Sequence, residues 1–147
     1  MSTKARHVST IRHSGAVEWE FVMQYAILIY GTEGVFEQLT ESQQEQALDE
    51  HRAVQQELAK GGTLAAVARL MSTSAAMTVR KKGENLMVLD GPFAETKEQL
   101  LGLYILECSS MDEALEQAKK LPQGIASYEI RPIGWGGGLI AADNPDG

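Results

Sequence analysis

His51 and Asp90 are the two side chains whose types and placement best suit proton-transfer chemistry. Between Thr40 and Lys60, the residues Ala47, Leu48, His51, Val54, Gln55 and Leu58 recur at three- and four-residue spacing, so they share one inward stripe of a helix. Imidazole titrates nearest neutral pH, so a histidine on a cleft wall can take or give a proton under physiological conditions. Asp90 follows the apolar run Leu86 to Leu89 and precedes the bend Gly91-Pro92, a strand end that can aim a carboxylate into a cleft. An imidazole oriented by that carboxylate keeps one ring nitrogen with base character, suited to removing a proton from carbon or from a phenol. The ordinary alternative is a core histidine whose ring nitrogens are satisfied by a backbone carbonyl or a carboxylate.

The residues after Asp90 extend the candidate site. Lys97 can hold an anionic group of a substrate, Glu95 can tune His51 by its charge, and Arg80 is a further substrate-binding candidate. Their plainer roles are solvated ion pairs worth under ~1 kcal/mol each, or hydrogen bonds from Glu95 and Glu98 to the backbone of the bend. His51 has no second ligand at i±4, where Ala47 and Gln55 stand, and His7 and His13 lack that spacing too, so no metal or other cofactor is expected, with a metal held by Asp90, Glu95 and His51 as the minor alternative. Cys108 ends an apolar strand and reads as a small buried hydrophobe rather than a nucleophile. The tail Gly134-Trp135-Gly-Gly-Gly138 has no helix behind it and no Lys-Ser/Thr, so it is not a phosphate loop.

The elements that must position these groups follow from punctuation and period. Met23 to Tyr30 is a strand ended by Gly31, and Thr40-Glu-Ser-Gln43 is a capping box opening a helix that Gly61-Gly62 stops. Residues 63–71 and 75–82 read as strands, the second turning through Lys82-Gly83-Glu84-Asn85 into 86–89. A strand over 101–108, a helix marked by Met111, Ala114, Leu115, Ala118 and Leu121, and a strand over about 125–131 complete the order β-α-β-β-β-β-α-β. Pro92 makes the 90–100 loop a rigid connection, and Phe93 is expected to bury as its anchor.

Both faces of the strands over 23–30 and 101–108 are apolar, yet two helices cover only one face of a sheet. The expected solution is a closed two-fold dimer on the helix-free face, burying at least ~1,000 Å². The alternative is a leader or tail folded over that face.

At 147 residues the chain is one domain's worth: a leader over 1–22, a domain over 23–133 and a Gly-rich tail over 134–147. Twenty acidic against thirteen basic residues, net −7, argue against a nucleic-acid partner. The absence of a secretory signal or a ~20-residue apolar span argues against the membrane, and a lone cysteine suits a reducing cytoplasm.

The string Asp90-Gly-Pro-Phe-Ala-Glu-Thr-Lys-Glu-Gln99, with Met23 to Gly31 and Met77-Thr-Val-Arg80, resembles the DGPF subgroup of the YCII-related family over roughly residues 23–133. The resemblance implies an α+β, ferredoxin-like protomer with an added β-hairpin, forming a dimeric α+β barrel. It also implies a His-Asp pair, matched here to His51 and Asp90, with lyase-like activity in some relatives. Leu101 stands where relatives carry a first Gly before Gly102, and Leu64 to Ser74 lacks their Pro, so both departures touch the expected cleft wall. Two functions follow as expectations. One is a small cytoplasmic enzyme using His51 and Asp90 for proton transfer or elimination on a small molecule, aromatic ones included. The other is a non-catalytic dimer that binds a small ligand or a protein, with a regulatory role such as association with an extracytoplasmic-function sigma factor.

Overall fold

The computed structural model describes residues 6–11 and 17–137, with side chains described from Val22 onward. His13, the side chain of His7 and the tail beyond residue 137 lie outside the described residues. Strands β1 (Arg6–Ile11) and β2 (Val17–Gly31) form an antiparallel pair. The strand expected to open at Met23 therefore begins at Val17, because Val17-Glu-Trp-Glu-Phe-Val22 alternates apolar and acidic residues with the period of a strand.

Helices α1 (Val35–Gln38) and α2 (Glu41–Lys60) follow, then β3 (Leu64–Arg69), a 3₁₀ turn (Thr73–Ala75), β4 (Met77–Lys82) and β5 (Asn85–Asp90). Next come β6 (Gln99–Cys108), α3 (Met111–Ala118) and β7 (Ser127–Pro132). The capping box forms as expected: the Thr40 hydroxyl accepts from the Gln43 amide at 3.1 Å, and the Thr40 amide donates to Gln43 Oε1 at 3.0 Å. Ser110 caps α3 by accepting from the Glu113 amide.

The main sheet is antiparallel, in the order β7-β2-β6-β3. With α2 after β2 and α3 after β6, this is the ferredoxin-like β-α-β-β-α-β arrangement, and β4–β5 is a hairpin inserted between its second and third strands. The sheet does not close into a barrel within one chain. Tyr25 and Ile27 of β2 and Tyr104, Leu106 and Cys108 of β6 pack against Val54 and Leu58 of α2 and Ala114 and Ala118 of α3. The opposite face pairs Ala26 with Ile105 and Leu28 with Leu103. Among the described residues, no helix is long and apolar enough to cross a membrane.

The hairpin stands apart from this core. β4 and β5 pair only with each other, and Met77, Val79, Leu86 and Val88, which the register places on one face, are all exposed. Phe93, expected to bury, is 74 % exposed. The correction has a simple cause: the loop after Asp90 is held through its backbone, with the Gly91 amide on Ala76 O at 2.7 Å and Thr78 Oγ1 donating to Gly91 O at 2.8 Å. Those bonds fix the bend without bringing the ring onto any surface of its own chain.

Candidate active site

Where β2, β6 and β3 meet the N-terminal half of α2, the register breaks. Ile29 pairs with Gly102 but Tyr30 with Leu100, so Leu101 is the extra residue of a bulge and is turned into a cleft. Gly102 is required beside it, since a Cβ there would meet the Ala68 carbonyl oxygen at 2.6 Å. Opposite, Glu33 binds Thr73 with both oxygens, accepting from its amide at 2.7 Å and its hydroxyl at 2.8 Å. That contact ties the β2–α1 connection to the β3–β4 connection and fixes the mouth.

The resulting cleft has a volume of about 530 Å³, in the range of small-molecule sites. Ile29, Val35, Phe36, Leu48, Val67 and Leu101 give it an apolar wall, and His51, Gln55, Arg69, Tyr104 and Tyr128 supply its polar groups. The α2 stripe that lines this cleft is the one its three-four period placed inward.

His51 is half-buried on this wall, and its Nδ1 lies 2.7 Å from the Tyr104 hydroxyl. Gln55 Nε2 donates to the same hydroxyl at 3.1 Å. The two rings stand edge to face at 82°, with centroids 6.0 Å apart. Tyr104 is 1 % exposed, so these two partners replace the water its oxygen would otherwise need. Among the described residues Nε2 of His51 has no protein partner, which leaves that nitrogen for a ligand.

Burial holds the His51 pKa below its ordinary 6.5, with Glu50 opposing and Arg69 adding to the shift. The ring is therefore predominantly neutral at pH 7. A hydroxyl partner suits either neutral tautomer: Tyr104 can donate to Nδ1, which leaves Nε2–H as a donor, or accept from Nδ1–H, which leaves Nε2 with a free lone pair. The Tyr104 pKa is raised by burial, with the Gln55 hydrogen bond opposing. Burial pushes Tyr128 to about 12, with the charges of Tyr104 and Glu50 adding, and its hydroxyl donates to the Pro122 carbonyl. Both phenols stay protonated at neutral pH. Cys108 is pushed to about 11 by burial, and by the charges of Glu113 and Glu107, so it is an inert thiol.

The other residues expected at the site are elsewhere. Asp90 ends β5 opposite Met77, and Arg80 lies in β4 opposite Met87. Glu95 and Lys97 are exposed in the loop that follows. None of the four lines the cleft, and the partner of the His51 ring is Tyr104 rather than Asp90. The reason is topological: Asp90 and Arg80 belong to the separate hairpin, whereas α2 packs over the main sheet. Among the described residues no three His, Cys, Asp or Glu side chains gather in a geometry that could hold a metal. The sequence placed Tyr104 in a strand with two apolar faces and did not show which face lies under α2. The signal for it was the pair His51 and Gln55, i and i+4 on an otherwise apolar stripe, which needed a polar group beneath them.

The YCII-related domain family matches residues 23–134, which span β2 beyond its first turn of pairing with β1 through β7 and include every cleft residue. The chain belongs to the YCII-related family. An uncharacterized protein of Rhizobium meliloti (strain 1021) is 44 % identical to it over 114 residues, covering 76 % of this chain and 92 % of that protein. The shared region thus contains the bulge, the α2 stripe and the hairpin, while the β1 segment lies outside the family match.

Proposed function

We propose that the YCII-related domain of this chain binds a small, largely apolar molecule in the cleft and that His51 transfers a proton to or from it. The observation that carries the reading is His51 itself: a neutral imidazole on the wall of the cleft, anchored at Nδ1 by Tyr104 and with Nε2 unclaimed. Tyr104 and Gln55 position the ring, and the apolar wall excludes water from a bound substrate. The reaction class is proton transfer, including elimination, at a carbon acid or a phenol. Identifying by mass spectrometry a molecule that copurifies with the full chain, then following deuterium from solvent into it, tests this. Exchange by the wild type and its loss in His51→Gln with binding retained is the expected result. A ligand that binds without exchange overturns it, and leaves the non-catalytic, regulatory binder.

The site is proposed to work in a homodimer. The exposed stripe of Met77, Val79, Leu86 and Val88 lies on a hairpin that pairs with nothing else, and a lone two-stranded hairpin is marginal in water. Such a dimer would also cover the helix-free face of the sheet, where Ala26, Leu28 and Leu103 are only partly buried. Light scattering at micromolar concentration is expected to give twice the mass of the 16.0 kDa chain. A monomer overturns the assembly.

A further inference from the structure

Among the described residues the cleft lining holds one cation, Arg69, and three features of its surroundings leave its N–H donors available to a ligand. First, its guanidinium carbon lies over the Phe36 ring, 5.4 Å from the centroid, a cation–π contact that uses the face of the group and none of its N–H donors. Second, its acidic neighbour Glu37 is 3.9 Å away, beyond hydrogen-bond length, and both side chains are about two-thirds exposed or more, at 65 % and 72 %. Third, the other carboxylate on the cleft, Glu33, has both oxygens engaged by Thr73. Among the described residues, none accepts a hydrogen bond from Arg69.

We infer that Arg69 is the specificity-determining residue of the cleft, and that the molecule bound there joins an apolar or aromatic body to a single carboxylate, gripped by the Arg69 fork. The inference rests on the cleft being a ligand site, as argued above, and names the class of molecule it takes. Arg matches a planar carboxylate with two parallel N–H···O bonds. A phosphate dianion fits worse, since Glu33 and Glu37 stand at the same mouth and one cation cannot offset them. The apolar body then lies along Phe36, Leu48 and Val67 toward His51. The carboxylate end also acts on the imidazole: Arg69 now opposes protonation of His51, Glu50 favours it, and a bound anion at Arg69 cancels the first effect. Tyr104 and Tyr128, the other titratable groups at the ring, stay neutral throughout.

The test uses benzoate, benzyl alcohol and benzylamine as probes, titrated into the full-length protein and followed by backbone amide and His51 ring NMR. Benzoate is expected to bind most tightly and to raise the His51 pKa. Arg69→Met, which keeps an apolar stem, is expected to weaken benzoate by roughly tenfold or more and to leave benzyl alcohol unchanged. Arg69→Lys falls between them, and Glu37→Gln strengthens benzoate by removing the competing anion. Equal binding of the three probes, preference for benzylamine, no benzoate shifts at millimolar concentration, or a benzoate affinity indifferent to Arg69→Met each overturns the inference. Failure of the proton-transfer reading looks different: benzoate then still binds through Arg69, in a protein that catalyses no exchange.

Discussion

Tyr104→Phe is the substitution that best separates a built site from a satisfied core. The ring is 1 % exposed and keeps its packing in the variant, so only the hydroxyl is lost. That hydroxyl serves His51 Nδ1 at 2.7 Å and Gln55 Nε2 at 3.1 Å. Each bond contributes about 0.5–1.5 kcal/mol net, and its half-buried partners recover only part of that from water, so a loss of about 1–3 kcal/mol is expected. For a domain of this size each kcal/mol corresponds to roughly 2–4 °C in Tm. Urea titration should show a lower midpoint with an unchanged slope. The ring-nitrogen NMR shifts of His51 should change as well, because the partner that fixes Nδ1 is gone. Two results together refute the reasoning: a midpoint within about 0.5 kcal/mol of the wild type, and an unaltered His51 tautomer.

Other outcomes follow from the same geometry. Burial keeps His51 below 6.5, so the folded chain binds fewer protons there than the unfolded chain; the stability this contributes is complete above about pH 6.5 and is lost as pH falls through the lower folded value. His51→Gln should therefore flatten the fall in urea midpoint between pH 7.5 and pH 5.5. Gly102→Ala places a Cβ at 2.6 Å from the Ala68 carbonyl oxygen, which is backbone and must shift, so a cost of about 1–3 kcal/mol in denaturation and a changed amide spectrum along β3 are expected. Phe93→Ala should leave the stability of dilute chain within about 0.5 kcal/mol, and a larger loss would place the ring in contact with a surface. Cys108, 3 % exposed with its pKa pushed up to about 11, should resist a thiol reagent at pH 8 until the protein is unfolded.

Much of the fold was legible because it rests on local rules. The capping box at Thr40 and the Gly61-Gly62 stop bound one helix, its three-four period names the inward stripe, and the apolar runs locate β2 and β6 without choosing between their faces. Phe93 was misread because burial of a loop aromatic depends on which surface the loop meets, a fact of tertiary placement that no spacing encodes. The β2 start was misplaced because the alternation beginning at Val17 was set aside as a leader. His51 was legible from its helical period, but its partner was not. A strand-end carboxylate and a mid-strand phenol are equally plausible from sequence, and only the inserted hairpin decides between them by carrying Asp90 onto a different sheet from the one under α2.

The site's position follows from where the ferredoxin-like packing is interrupted. Helix α2 covers the sheet closely where small or aliphatic side chains face it, at Val54 and Leu58 over Tyr25, Ile27 and Leu106. From the middle of the helix onward the stripe also carries His51 and Gln55, on either side of Val54, and the sheet answers with the bulge at Leu101 and the bare backbone of Gly102. Polar groups on the helix cannot be buried against an aliphatic sheet without partners, so the strand beneath them must offer one, and Tyr104 does. At the mouth, the Glu33 clasp on Thr73 ties the β2–α1 and β3–β4 connections to each other. An imidazole satisfied on one nitrogen and open on the other is thus a consequence of how this protomer leaves its own core incomplete. The same incompleteness sets the volume and the polarity of the cleft, and among the described residues Arg69 is its one cationic lining residue, which is why Arg69 and His51 are expected to act on opposite ends of one small molecule.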